Sequence, residues 1–224
     1  MASGDLGEDL PCMEGERAAL LLEVPAVCQY PELPTGCETV AAVMVLRYYG
    51  VEITPRQFAE NWLKCDGRFY RSGGRLYGPD PNRVFVGDPF KKNSYGCFAP
   101  PIAEAVNRNS VLCRAETVSA LSLDSLCREY LDRGIPVLVW ATMNMMEKTE
   151  GNCWYLEDHS LFVWPAGEHC LVLVGYSDTH YFFNDPMVGK TLSYPRQTAE
   201  DRFEALGRQG VVITPREQAQ GLGT

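Results

Sequence analysis

The segment QYPELPTGCETVAAVMVLRYYG, residues 29–50, is the part of the sequence that indicates the fold most clearly. Pro31 and Pro34 exclude a helix from its first part, because proline lacks the backbone N–H that a helix interior needs. From Cys37 onward apolar residues recur at helical spacing, and Gly50 is a natural helix terminator. The segment therefore predicts a loop followed by a helix over about residues 38–49.

Cys37 stands where this loop becomes a helix. The unpaired N–H groups and the positive dipole end at a helix start favour a thiolate, which is the nucleophilic form of cysteine. Gly36 allows a substrate to approach the backbone closely. Gln29 carries an amide that could donate to the oxyanion formed when Cys37 attacks a carbonyl. Taken alone, each residue also fits an ordinary structural role.

A thiolate nucleophile needs a base, and His169 is the best placed of the three histidines. It opens the most apolar predicted strand, and Asp185 ends the next one. A short turn between paired antiparallel strands brings the start of one beside the end of the other. Asp185 would accept a hydrogen bond from the ring and fix its tautomer. His159 lies in a polar loop, and His180 lies near Asp178 in a predicted turn, where it is expected to face solvent.

The rest of the chain predicts an α+β fold with two lobes, because helices dominate its first half and strands its second. Thr54 and Gln57 form a capping box, and residues 65–99 are rich in Gly and Pro and predict a long functional loop. Further helices are predicted near residues 55–63, 123–132 and 197–206, and a short helix is predicted after Pro100 and Pro101. Strands are predicted near residues 18–29, 110–117, 135–142, 169–176, 181–185 and 210–213. The predicted organisation is a loose leader at 1–18, a single domain at 19–214 with a helical half (about 30–133) and a sheet half (about 135–214), and a tail at 215–224.

Composition excludes several classes of function. The 224 residues are 46% hydrophobic with a net charge of −9, the balance of a globular protein. Without clustered Lys and Arg, the chain is a poor candidate for binding nucleic acid or an anionic membrane surface. No apolar run is long enough to span a bilayer, and no P-loop motif indicates an ATP-binding domain. The acidic, Gly-rich N-terminus predicts a cytoplasmic protein, or an extracytoplasmic one if a native leader has been removed.

The nine cysteines contain no pair separated by two residues, so they predict reduced, mostly buried thiols. The best cysteine–histidine cluster for a metal is Cys153, His159, His169 and Cys170, and its spacing fits no tight zinc pattern. The sequence therefore predicts neither a metal site nor a cofactor.

Three blocks of this sequence resemble the bacteriocin-processing, double-glycine leader peptidase-like branch of the papain-like cysteine peptidases, in its stand-alone bacterial form. They are residues 29–50, residues 85–97 and residues 167–186. The resemblance implies a papain-like fold, in which a helical lobe carries the nucleophile and packs on an antiparallel sheet lobe that carries the His and the Asp. It implies Cys37 as nucleophile, His169 as general base and acid, and Asp185 as its orienting partner.

The same resemblance implies that Gln29 is the oxyanion donor. We also predict that Gly36, Glu38, Trp164 and Glu168 bind the substrate. If Cys37 pairs with His169 as papain-type residues do, the thiol pKa is depressed and the resting state is an ion pair.

The predicted function is that of a thiol hydrolase. It would cleave a peptide or isopeptide bond of a peptide or protein substrate through an acyl-enzyme, after a small residue such as Gly. Two alternatives stay open: an acyltransferase with the same triad, and a non-catalytic papain-like module that binds peptides.

Overall fold

The computed structural model of this protein describes residues 19–216. The predicted leader at residues 1–18 and the part of the predicted tail beyond residue 216 lie outside the described residues. The described helices are α1 (Cys37–Tyr48), α2 (Pro55–Asn61), α3 (Ala99–Asn109), α4 (Leu123–Glu129) and α5 (Arg196–Ala205), with short 3-10 helices at Leu131–Arg133 and Met143–Met145. None of these helices is both long and apolar enough to cross a membrane.

An antiparallel sheet of seven strands forms the centre of the fold. Along its main path the order is β12 (Lys190–Pro195), β11 (His180–Asp185), β10 (Glu168–Tyr176), β7 (Val137–Thr142), β13 (Gln209–Pro215) and β6 (Cys113–Ser119). The seventh strand, β1 (Leu20–Leu21), also pairs with β10. The hairpin predicted around residues 169–184 is β10–β11, in which Val172 lies opposite Asn184.

Each face of this sheet is covered by helices, and the alternation along β10 shows how. Cys170, Val172 and Val174 belong to the core cluster that contains α1 and α3. Leu171 and Leu173 belong to the second core cluster, with residues of α4 and α5. Because successive side chains of a strand point to opposite faces, the apolar stretch of β10 from Cys170 to Val174 is buried on both sides. Helices packed on an antiparallel sheet confirm the predicted fold class.

A smaller sheet corrects the prediction of a long loop at residues 65–99. It contains β3 (Tyr70–Ser72), β4 (Arg75–Tyr77), β8 (Thr149–Tyr155) and β9 (Leu161–Ala166), while β2 (Cys65–Asp66) pairs in parallel with β5 (Phe85–Val86). The strands within 65–99 have two or three residues each, and β8 begins with five exposed residues. Neither feature produces the period-two pattern on which strand prediction depends.

Most other predicted elements are confirmed, with shifted ends. The predicted capping box at Thr54 and Gln57 starts α2. Gly50 follows α1 with φ +79°, a conformation that glycine adopts without strain. The strand predicted over 18–29 has only two residues as β1, and β12 was not predicted at all. The residues of β12 are exposed or half-buried, so their sequence carries little hydrophobic signal.

Candidate active site

Cys37 is the first residue of α1, and the preceding loop holds it there. Gly36 caps the helix, and a Cβ at this position would lie 2.8 Å from the Cβ of Leu33. Only glycine therefore lets the loop turn this tightly into the helix. The Cys37 side chain is 7% exposed, so its thiol is covered on most sides.

His169 and Asp185 meet as the hairpin prediction required. The Nε2 atom of His169 lies 2.8 Å from Oδ1 of Asp185, and both side chains are buried. The same Oδ1 accepts a hydrogen bond from the backbone N–H of Met187 at 2.7 Å, which fixes the carboxylate. Because a carboxylate only accepts, Nε2 carries the ring proton of the neutral imidazole and Nδ1 keeps a lone pair.

A cavity of about 280 Å³ brings the predicted residues together. Its walls include five of the predicted site residues, namely Gln29, Cys37, Trp164, Glu168 and His169. Sequence reasoning missed other parts of the wall, among them Lys92, Tyr95 and Met143. Tyr95 lies in a block that resembled the family, and that was the only signal that could have identified it.

Gln29 lies in the wall of this cavity, and one N–H of its side-chain amide is already hydrogen-bonded. Its Nε2 donates to the carbonyl of Pro34 at 3.0 Å, and its backbone N–H donates to Pro186 O at 2.8 Å. A side-chain amide has two N–H donors, so one is left over for a ligand in the cavity. This geometry is compatible with the predicted oxyanion role.

Known proteins share the sequence pattern of this chain. Residues 21–211 match the sequence model of the Peptidase_C39 like family. The chain belongs to this family. It is 31% identical over 185 residues to the uncharacterized protein YvpB of Bacillus subtilis (strain 168), covering 82% of this chain and 70% of YvpB.

Solved structures share the fold. A C39-like peptidase from Bacillus anthracis superposes with a TM-score of 0.77 at 23% identity, covering 91% of this chain and 100% of that one. A double glycine motif protease from an AMS/PCAT transporter, solved with its leader peptide, gives 0.52 at 16% identity, covering 88% and 96%. The peptidase domain of Streptococcus ComA gives 0.52 at 14% identity, covering 87% and 100%. The family and the fold are therefore those of C39 cysteine peptidases, as the resemblance implied.

Glu38 does not line the cavity of this C39-like protein, which corrects its predicted contact with substrate. Its carboxyl group is fully buried, and its Oε1 accepts a hydrogen bond from the backbone N–H of Cys97 at 2.6 Å. Its Oε2 lies 3.3 Å from Sγ of Cys37. Burial raises the pKa of Glu38 to about 7. Its place in the structure is beside the nucleophile rather than beside a substrate.

The surroundings of Cys37 oppose the thiolate–imidazolium resting state that the sequence led us to expect. Burial raises the pKa of Cys37 well above the ordinary thiol value, and the carboxyl groups of Glu38 and Glu168 raise it further. The backbone N–H of Cys170, which donates to Sγ, lowers the pKa but does not compensate. The favourable helix start is outweighed because a thiolate here would be desolvated and face two acidic side chains.

Alkylation of Cys37 should therefore be slow at neutral pH. Below its pKa the thiolate fraction falls tenfold per pH unit, so the rate with iodoacetamide should rise continuously from pH 6 to pH 9 without an early plateau. Burial raises the pKa of Glu168 well above the ordinary carboxyl value, so Glu168→Gln should increase the labelling rate more at pH 9 than at pH 6. Peptide mapping after timed labelling measures both, with exposed Cys153 as internal reference. A plateau reached below pH 7 would contradict the raised pKa.

The cysteine–histidine cluster that was weighed as a metal site is not assembled among residues 19–216. His159 Nδ1 lies 3.0 Å from the hydroxyl of Tyr77, and Cys153 is exposed on β8. The eight cysteines within residues 19–216 are free thiols, of which five are buried as predicted. Cys28, Cys65 and Cys153 are exposed, and Cys12 lies outside the described residues.

Proposed function

We propose that this C39-like protein is a cysteine peptidase in which Cys37, His169 and Asp185 act as nucleophile, base and orienting residue. The observation that carries the proposal is the buried His169–Asp185 hydrogen bond of 2.8 Å beside a cavity that Cys37 also lines. A buried imidazole held by a carboxylate has one free ring nitrogen with which to exchange a proton.

The proposed reaction begins with Sγ of Cys37 attacking the scissile carbonyl carbon while Nδ1 of His169 takes the thiol proton. Burial and the acidic neighbours, which raise the pKa of Cys37, favour transfer of the thiol proton to His169 during the attack. The carbonyl oxygen becomes an oxyanion, which accepts a hydrogen bond from the free N–H of Gln29. His169 then gives its proton to the leaving amine, the C–N bond breaks, and a thioester remains on Cys37. Water, deprotonated by His169, releases the acid and restores the thiol.

The cavity wall supports a small residue before the scissile bond. Tyr95 and Trp164 stand side by side in it, with ring centroids 5.4 Å apart. Trp164 is stacked on Phe98 at 5.8 Å and is therefore not free to swing away. Together the two rings would restrict the space for a branched side chain in the cavity that Cys37 lines. We propose Gly as the preferred residue and Ala as the next.

The test is cleavage of matched peptides that differ only in the residue before the cut. We expect products with new termini at a single bond, and a kcat/KM for Gly that exceeds that for Leu by at least about tenfold, which corresponds to a steric penalty near 1.4 kcal/mol. Mass spectrometry of the products in H₂¹⁸O should place one ¹⁸O in the new carboxylate. Absence of any cleavage across the series would favour the peptide-binding module instead.

An acyltransferase would use the same groups with a different acceptor. The ¹⁸O experiment repeated with an added amine, such as glycinamide, separates the two, because a transferase would form the amide in preference to the acid. The peptidase proposal expects the acid as the major product at millimolar amine.

A further inference from the structure

Beside the nucleophile lies a cluster of three ligating groups that the proposed peptide cleavage does not use as a set. A sulfur of Cys37 and one oxygen from each carboxyl group of Glu38 and Glu168 all lie within 4.8 Å of one another. All three residues are buried. Among residues 19–216, these three are the acidic, cysteine or histidine side chains whose ligating atoms lie this close together. The imidazole of His169 is not part of the group.

Glu168 provides an independent sign of a missing ligand. Its side chain is only 6% exposed, and its Oε1 has no hydrogen-bond partner among the described residues. A buried carboxylate oxygen without a partner is costly, and native proteins seldom keep one. A group that accepts a lone pair would satisfy it.

The backbone leaves room for these carboxyl groups. At Gly96 a Cβ would lie 2.4 Å from Oε1 of Glu38 and 3.3 Å from Oε2 of Glu168, so no other residue fits without displacing them. The N–H of Cys97 holds Oε1 of Glu38, which leaves Oε2 directed at Sγ of Cys37, 3.3 Å away. The donors are thus oriented by the main chain.

We propose that Cys37, Glu38 and Glu168 bind a divalent d¹⁰ cation such as Zn²⁺. Zinc takes thiolate sulfur at about 2.3 Å and carboxylate oxygen at about 2.0–2.2 Å in tetrahedral geometry, which places neighbouring donors roughly 3.5 Å apart. The Cys37–Glu38 separation of 3.3 Å is close to this value, and Glu168 must approach by about 1.3 Å at most from a separation within 4.8 Å. Cys37 and Glu168 line the cavity, so the ion can enter and the fourth position faces it.

Binding would release the thiol proton and any carboxyl proton to solvent, since the ligating forms are deprotonated. The sulfur lone pair with which Cys37 attacks a carbonyl carbon would then be donated to the metal. If the proposed peptidase activity holds, this cation is a reversible inhibitor, and chelation restores activity.

Cd²⁺ is the probe, because a cadmium–thiolate bond gives a charge-transfer absorption in the ultraviolet. The titration uses the full chain with Cys12, Cys28, Cys65 and Cys153 replaced by serine, which removes the exposed thiols and the one outside the described residues. We expect one equivalent to bind. Cys37→Ala should abolish the band, and Glu168→Gln should weaken binding by at least about tenfold. His169→Ala should leave binding unchanged.

Two results would overturn the proposal. One is a band that Glu168→Gln does not weaken but His169→Ala removes, which would assign the metal to the Cys37–His169 pair. The other is no Cys37-dependent band. A second measurement needs no variant: in the unaltered protein, Zn²⁺ should slow iodoacetamide labelling of Cys37, and a chelator should restore it. Because His169→Ala is expected to keep Cd²⁺ binding and lose peptide cleavage, failure of either proposal can be recognised separately.

Discussion

Replacing His169 by asparagine should lower kcat/KM for peptide cleavage by about 10⁴-fold, the scale seen when a triad base is removed. Asparagine has no group that can take the proton of Cys37 or return it to the leaving amine. Its shorter amide replaces the Nδ1 end of the ring, so the hydrogen bond from Nε2 to Asp185 is lost together with the base. The loss should appear in kcat rather than KM, because His169 acts on the reacting atoms.

His159→Asn is the matched control for this experiment. His159 has φ +67°, which asparagine tolerates better than alanine, and its Nδ1 lies 3.0 Å from the hydroxyl of Tyr77. It does not line the cavity that contains Cys37. We expect kcat/KM to stay within about twofold of the unaltered protein, as for most surface substitutions. Activity above a tenth of the original in His169→Asn would refute the role of His169 as base.

Gln29→Ala is expected to lower kcat by about 10²- to 10³-fold, the effect of losing one oxyanion donor. KM should change little, since the oxyanion exists only after attack. Gln197→Ala is the control, because this exposed glutamine bonds Asp201 on the surface. Unchanged kcat in Gln29→Ala would exclude the oxyanion role.

A structural role for Gln29 can be separated from a catalytic one by alkylation. The reaction of Cys37 with iodoacetamide displaces iodide at a saturated carbon and forms no oxyanion. If Gln29 serves only the oxyanion, Gln29→Ala should leave the labelling rate of Cys37 unchanged while kcat falls. If its bond to the Pro34 carbonyl merely positions the loop, both rates should fall together.

The sequence was sufficient to predict the helix that begins at Cys37 and the contact between His169 and Asp185, because local rules and one short turn determine them. Gly50 and the prolines delimited the helix that begins at Cys37, and a short turn brought His169 to Asp185. The electrostatics of the thiol were not accessible in this way. Glu168 is 131 positions from Cys37 in the chain, and only the packing of α1 on β10 places the two carboxyl groups beside the sulfur.

The same limit explains why the sequence indicated a lowered pKa for Cys37. A helix start lowers a thiol pKa, and that contribution can be recognised from the sequence. Burial and the acidic neighbours raise it more, and both depend on tertiary structure. Tyr95 was missed for the same reason, because its place beside Trp164 in the cavity wall depends on tertiary structure.

The most direct test of the proposed chemistry is to trap the acyl group on the protein. A peptide ending in a glycyl thioester should acylate Cys37 quickly, because its leaving group needs little protonation, and acid quenching should preserve the product. We predict a mass increase equal to the acyl group, mapped to Cys37 and absent in Cys37→Ala. Acylation of another residue, or hydrolysis of the thioester that persists in Cys37→Ala, would contradict the account.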